Sequence, residues 1–164
     1  MKAKLILMVG LPGSGKTTQA KILEEKYNAV RFTPDEWQLR IVGDDFSGDR
    51  TQEELNEHDR RHTEIELIMA ELAEKLLKQG ISVILDYGFW GRSERDEKRE
   101  LAEKYNADFE IYYMNTPLDT IFERITERNR TGGGFAVTKE NIEEWNGWFQ
   151  RPTPDEENVI TVIP

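Results

Sequence analysis

The sequence predicts an α/β fold: a mainly parallel five-stranded sheet flanked by helices in three layers. Two observations predict it. "LILMV" is short, continuous and apolar, as a strand buried on both faces is, "ISVIL" is a second buried-strand candidate, and "FEIYYM" also reads as a strand. Between them lie longer stretches with helical spacing, opened by Thr, Ser or Asp and closed by Asn or Gly, so strands and helices alternate along the chain.

Leu5–Val9 is the first expected strand, and a helix is expected from Gly15 to Tyr27. Ala29–Phe32 is a short second strand. Thr33-Pro34-Asp35 then starts a helix, with Thr33 as N-cap and Pro34 at the first helical position. Gly43–Arg50 reads as a solvated polar loop. Thr51 and Glu54 have capping-box spacing, and a long helix from there runs to about Gln79, stopped by Gly80. Ile81–Leu85 is the third strand, ending at Asp86. Ser93 and Asp96 stand where the next helix would start, reaching Tyr105. Phe109–Met114 is the fourth strand. Thr116-Pro117 opens a helix to about Asn129, and Gly132–Gly134 interrupts the chain. A helix from Thr138 to Phe149 and a last strand over Val159–Ile163 follow, and the whole of residues 1–164 is expected to form one domain.

Composition narrows the function. Of 164 residues 37% are hydrophobic and 33% charged, the balance of a globular protein with a core. The formal net charge of −10 sets the surface against phosphate backbones, so nucleic acid is not expected as a partner. With no cysteine, thiolate chemistry and cysteine-bound zinc are excluded. The apolar run near the start is too short for a signal peptide's core, and no stretch approaches the roughly 20 residues that span a bilayer, so a cytoplasmic location is expected.

Gly10-Leu11-Pro12-Gly13-Ser14-Gly15-Lys16-Thr17 fits G-x-x-x-x-G-K-[ST] in full, between an apolar strand and a helix. Glycines let successive backbone N–H groups turn toward one anion, and the following helix offers its positive end to the same phosphates. The motif therefore predicts a nucleoside triphosphate, held by Gly10, Gly13, Ser14, Gly15, Lys16, Thr17 and Thr18. Lys16 would reach the outer phosphates and the Thr17 hydroxyl would bind Mg²⁺.

With "GLPGSGKTT", "TPDEW", "LDYGFW" followed by Arg92 and Arg95, and the tail "FQRPTPDEE", nearly the whole chain resembles the small P-loop kinases. The nearest likeness is to the group labelled "AAA family ATPase" or "ATP-binding protein", similar to chloramphenicol-phosphotransferase-like and polynucleotide-kinase-like proteins. The resemblance implies a general base at Asp35, a carboxylate that could also help hold Mg²⁺. It implies a role for Asp86 with the metal or the substrate, and substrate contacts at Trp90, Arg92 and Arg95. Lid arginines are implied at Arg128 and then Arg124, the lid spanning about residues 128–138. One departure stands out. Polynucleotide kinases of this group show D-x-x-R where this chain has Gln38 three residues after Asp35.

His58 and His62, four apart, share a helical face without the H-E-x-x-H pattern of a zinc site, and are expected to line a cleft or face solvent. Trp145, Trp148 and Phe149 are expected in the core. The expected activity is transfer of the γ-phosphate of ATP to a hydroxyl of a small molecule. The rivals are a regulatory ATPase switch without an acceptor and a polynucleotide 5′-hydroxyl kinase. No N-K-x-D motif reads guanine here; the comparable place is Met114-Asn115-Thr116-Pro117.

Overall fold

The computed structural model describes residues 2–164. Five strands, β1 (Lys4–Val9), β2 (Val30–Phe32), β3 (Val83–Gly88), β4 (Asp108–Met114) and β5 (Val159–Val162), form one sheet in the order β2-β3-β1-β4-β5. Every pairing is parallel. Parallel neighbours need long crossovers. Those crossovers carry α1 (Lys16–Tyr27), α2 (Pro34–Ile41), α3 (Gln52–Lys78), α4 (Arg92–Lys104), α5 (Leu118–Thr131) and α6 (Lys139–Trp148).

β1 explains why its sequence is an unbroken apolar run. Leu5, Leu7 and Val9 pack with Met69, Ala73 and Leu77 of α3 on one face, whereas Ile6 and Met8 pack with Ala20 and Leu23 of α1 on the other. Successive side chains enter opposite layers, so no position is left for a polar residue. The chain leaves β1 for one side of the sheet and later returns to β4 on the other. The carboxyl ends of β1, β3 and β4 therefore border the crevice where ligands bind in such sheets.

Three helices close alike. α1, α3 and α4 each end in a left-handed residue, Asn28, Gly80 and Asn106. The next amide turns back to the helix, as when Ile81 N bonds Leu76 O at 3.0 Å. That closure consumes Ile81, and the Ser82 hydroxyl accepts from Lys4 N at 3.1 Å. The third strand consequently begins at Val83, not Ile81, and runs through Asp86 to Gly88.

The capping box of Thr51 and Glu54 forms as expected. Thr33 precedes α2 but makes no side-chain cap, because its hydroxyl bonds Asp86 instead. α4 starts at Arg92, where Glu94 accepts the Gly91 N–H at 2.9 Å, rather than at Ser93 or Asp96. α5 starts at Leu118 because the Thr116 hydroxyl reaches Ser14 O at 2.9 Å. No helix among the described residues is long and apolar enough to cross a membrane.

Candidate active site

The loop between β1 and α1 is built from backbone. Gly13 has φ 81, and a Cβ there would come within 2.8 Å of the Ile125 side chain on α5. Gly15, at φ 97, directs the chain into α1. Only glycine meets both conditions cheaply. The Trp90 indole N–H bonds Gly10 O at 3.2 Å, holding the loop's entrance. The first N–H groups of α1 have no carbonyl of their own helix to meet, which leaves them for an anion. Lys16 Nζ bonds Leu11 O at 3.0 Å. Burial lowers the ammonium's pKa, and the charges of Asp86 and Asp35 oppose that shift.

Asp86 lies beneath this loop, only 5% exposed. Its Oδ2 accepts from Thr17 Oγ1 at 2.7 Å and Thr33 Oγ1 at 3.2 Å. Oδ1 is buried without a partner, as is the Ser14 hydroxyl. Burial raises the carboxyl's pKa, against the pull of Lys16 and the two hydroxyls. A hydroxyl beside a carboxylate with one orphaned oxygen is a hard-oxygen set suited to Mg²⁺. Thr17 and Asp86 therefore fit the metal that the motif implies.

Asp35 opens the opposite wall, in the first turn of α2. His62 Nε2 lies 3.0 Å from Asp35 Oδ1, and His62 Nδ1 lies 3.5 Å from Glu66. Crowding by protein acts to raise the Asp35 carboxyl. The His62 hydrogen bond and the charges of His62, Lys16 and Arg128 outweigh it and hold the group below its ordinary range. The side chain is still 63% exposed to the open cleft, so the neighbouring charges, not burial, decide the direction. For His62, burial acts downward, but the bond to Asp35 and the charge of Glu66 raise the imidazole above its usual value.

From α5, Arg128 faces the same cleft. Burial lowers its pKa and the Asp35 charge opposes this. Its Nη2 bonds Phe135 O at 3.1 Å, and its Nε is buried without a partner. Arg124 is more exposed, with Nη1 at 3.4 Å from Ser14 O.

Residues 5–152 match the family model described as AAA domain. The chain belongs to the AAA domain family. Within it, the likenesses point to the small P-loop kinase-like group. An adenylate kinase from Prochlorococcus marinus is 26% identical over 129 residues, covering 77% of this chain and 70% of that one. A Schizosaccharomyces pombe protein named as a probable gluconokinase is 27% identical over 161 residues, or 96% and 78%. In fold, a kinase candidate from Chloroflexus aurantiacus matches with a TM-score of 0.76 at 20% identity, over 99% of this chain and 89% of that one. A chain of the Pnkp1/Rnl/Hen1 RNA repair complex matches with a TM-score of 0.65 at 24% identity, over 90% and 44%.

Not every residue singled out in the sequence reaches the cleft of this AAA domain protein. Arg95 is fully buried, pairing with Glu156 through bonds of 2.8 and 2.7 Å and donating to Phe89 O at 3.0 Å. It is a structural tie between α4 and the tail, which corrects its assignment as a substrate contact. Arg92 is engaged outside by Asp96 and Asp155, each at 3.0 Å. Trp90 supports the loop and packs on Trp145, with ring centres 5.6 Å apart. Phe149 is buried as expected, whereas Trp148 is 60% exposed. Thr18 is exposed in the first turn of α1.

The loop of residues 43–50 is not simply solvated. Asp45 accepts from Arg61 at 3.1 Å and Gln38 at 3.0 Å, and lies 2.7 Å from His58 Nδ1. Ser47 Oγ accepts from Ala136 N at 2.7 Å, tying this loop to the glycine-rich segment beyond α5, whose Phe135 and Val137 are buried. Sequence reasoning missed His62 as Asp35's partner and Glu156 as Arg95's. The four-residue histidine spacing was the one available signal for the first, and nothing in the tail distinguished the second.

Proposed function

We propose that this AAA domain protein is an ATP-dependent phosphotransferase, working in the cytoplasm, that moves the γ-phosphate to a hydroxyl of a small molecule. The observation that carries this reading is the Asp35 carboxylate in the first turn of α2, hydrogen-bonded to His62 and near enough to Lys16 and Arg128 for their charges to act on it. A switch needs only a cradle for phosphates; a carboxylate on the opposite wall suits a hydroxyl acceptor. Asp35 accepts the hydroxyl proton as the acceptor oxygen bonds to the γ-phosphorus, the β–γ bridge bond breaks, and ADP leaves. Lys16, the loop amides and Arg128 stabilise the charge on the transferring group. Mg²⁺, held by Thr17 and Asp86, would neutralise phosphate charge when bound. Gln38 is buried and committed to Asp45 and His58, so no cation three residues after Asp35 grips a substrate phosphate. That favours a small acceptor over a polynucleotide.

The test is mass spectrometry of a pooled acceptor library with ATP and Mg²⁺, comparing wild type with Lys16→Ala and Asp35→Ala. The library includes sugars, amino-sugar antibiotics, nucleosides and 5′-hydroxyl oligonucleotides, the last because of the likeness to an RNA repair chain. A compound phosphorylated by wild type and by neither variant supports the proposal. A phosphorylated oligonucleotide would replace the small acceptor, and ATP hydrolysis unaffected by Asp35→Ala would favour a regulatory ATPase.

A further inference from the structure

α2 and α3 face each other through two polar layers about one helical turn apart. On α2 the contributing residues are Asp35 and Gln38; on α3 they are His62 and His58, spacings that place each pair on one helical face. The inner layer is closed. Gln38 is fully buried and donates to Asp45 at 3.0 Å and to His58 O at 3.3 Å. The His58 ring packs between Phe46 and Phe135, centroids 5.0 and 5.1 Å away. The outer layer, Asp35 with His62, opens on the cleft.

We propose that His62 is the positioning residue of Asp35: its ring, steadied by Glu66, holds one carboxylate oxygen so that the other meets the acceptor hydroxyl. This rests on the phosphotransfer reading above. The Asp35 side chain is itself exposed although Thr33 and Pro34 beside it are buried, and among the described residues His62 supplies the one hydrogen bond to that side chain. Without that bond the carboxylate rotates freely, and reacting groups need fixed placement.

The ring's surroundings also decide which nitrogen donates. An ionised carboxylate only accepts, so Nε2 must carry a hydrogen to bond Asp35 Oδ1 at 3.0 Å. Nδ1 faces a second carboxyl group, Glu66, at 3.5 Å. A neutral ring between two carboxylates would set a lone pair against one of them. An imidazolium satisfies both sides, and so does a neutral ring beside a protonated Glu66. In each state the Nε2 hydrogen points at Asp35. The other charges near this layer are Lys16 of the loop, Asp59 of α3, Glu94 and Lys98 of α4, and Arg128 of α5. The inner layer and the Thr51 capping box hold α3 in register, so the ring is carried on a rigid element.

Two measurements test this on the full chain. With only two histidines in the sequence, a ¹⁵N-histidine-labelled protein gives two sets of ring signals. Asp35→Asn should shift the Nε2–H signal of His62 and leave that of His58 in place; an unchanged His62 signal overturns the pairing whether or not any acceptor is known. Turnover of ATP is then followed with an acceptor from the library or, failing one, with water as acceptor. His62→Ala should lower kcat about ten- to a hundredfold with little change in KM for ATP. His62→Gln, which keeps a donor, or added imidazole should restore part of the rate. Equal kcat in wild type and His62→Ala, or no rescue by either route, overturns the positioning role. Turnover indifferent to Asp35→Asn, with the His62 shift present, counts instead against phosphotransfer.

Discussion

The two walls of the cleft are made differently. The wall that the proposal assigns to the phosphate donor, residues 10–17, comes from one unbroken stretch that would offer mostly backbone N–H groups, with Lys16 and Thr17 beside them. The opposite wall, which the proposal assigns to the acceptor, is made of side chains. Asp35 comes from α2, and His62 and Glu66 come from α3, 27 and 31 positions further along the chain. Backbone groups follow from local φ and ψ, so spacing alone reveals them. Side chains from separate helices meet only once those helices pack.

The largest effect that would sharpen this contrast is at Asp35. Asp35→Asn should reduce phosphoryl transfer by about 10²-fold or more, while affinity for a fluorescent ATP analogue stays near wild type. A parallel loss of nucleotide binding would mean that the walls are not separable. Next, Gly13→Ala attacks the donor wall through its backbone. A left-handed φ costs a non-glycine residue roughly 1–2 kcal/mol, before the approach to Ile125 at 2.8 Å is relieved. Nucleotide affinity should fall about tenfold or more, with the His62 ring signals unmoved.

A smaller effect is expected at the start of α3. Thr51→Ala removes the capping box and should cost about 1 kcal/mol in denaturant unfolding, lowering transfer more than ATP affinity because α3 carries His62. The smallest effect is in pH dependence. Since the folded state raises the His62 pKa, its contribution to stability is fully present below the unfolded value of about 6.5 and fades as pH rises through the folded value. The Tm advantage of wild type over His62→Gln should thus be greatest near about pH 6 and shrink toward alkaline pH. A constant difference would show that the ring's charge is not engaged by the acceptor wall.

Much of the fold was legible because burial leaves a plain mark. β1 is legible as an apolar run and β4 as a strand rich in aromatic residues, and α3 is announced by a capping box that forms. Errors came where two uses competed for one residue. Ile81 is apolar enough for a strand, yet its amide closes α3. Thr33 suits an N-cap, but Asp86 takes its hydroxyl. Arg95 follows a loop rich in aromatics as a ligand-binding residue would, and it lies inside the protein with Glu156. Asp45 sits in a run of loop-like residues and is drawn into the layer of Gln38 and His58.

The sequence by itself determined the parallel α/β plan, the anion-binding loop and the kinase-like likeness, because each rests on local spacing and on the periodicity of burial. Only the tertiary structure decided which polar residues face the cleft. Asp35 with His62 does, while Arg95 with Glu156 and Gln38 with His58 do not. The reason is physical: a charged or polar side chain seeks whichever partner satisfies it, and that partner is set by how helices pack, not by its distance along the chain.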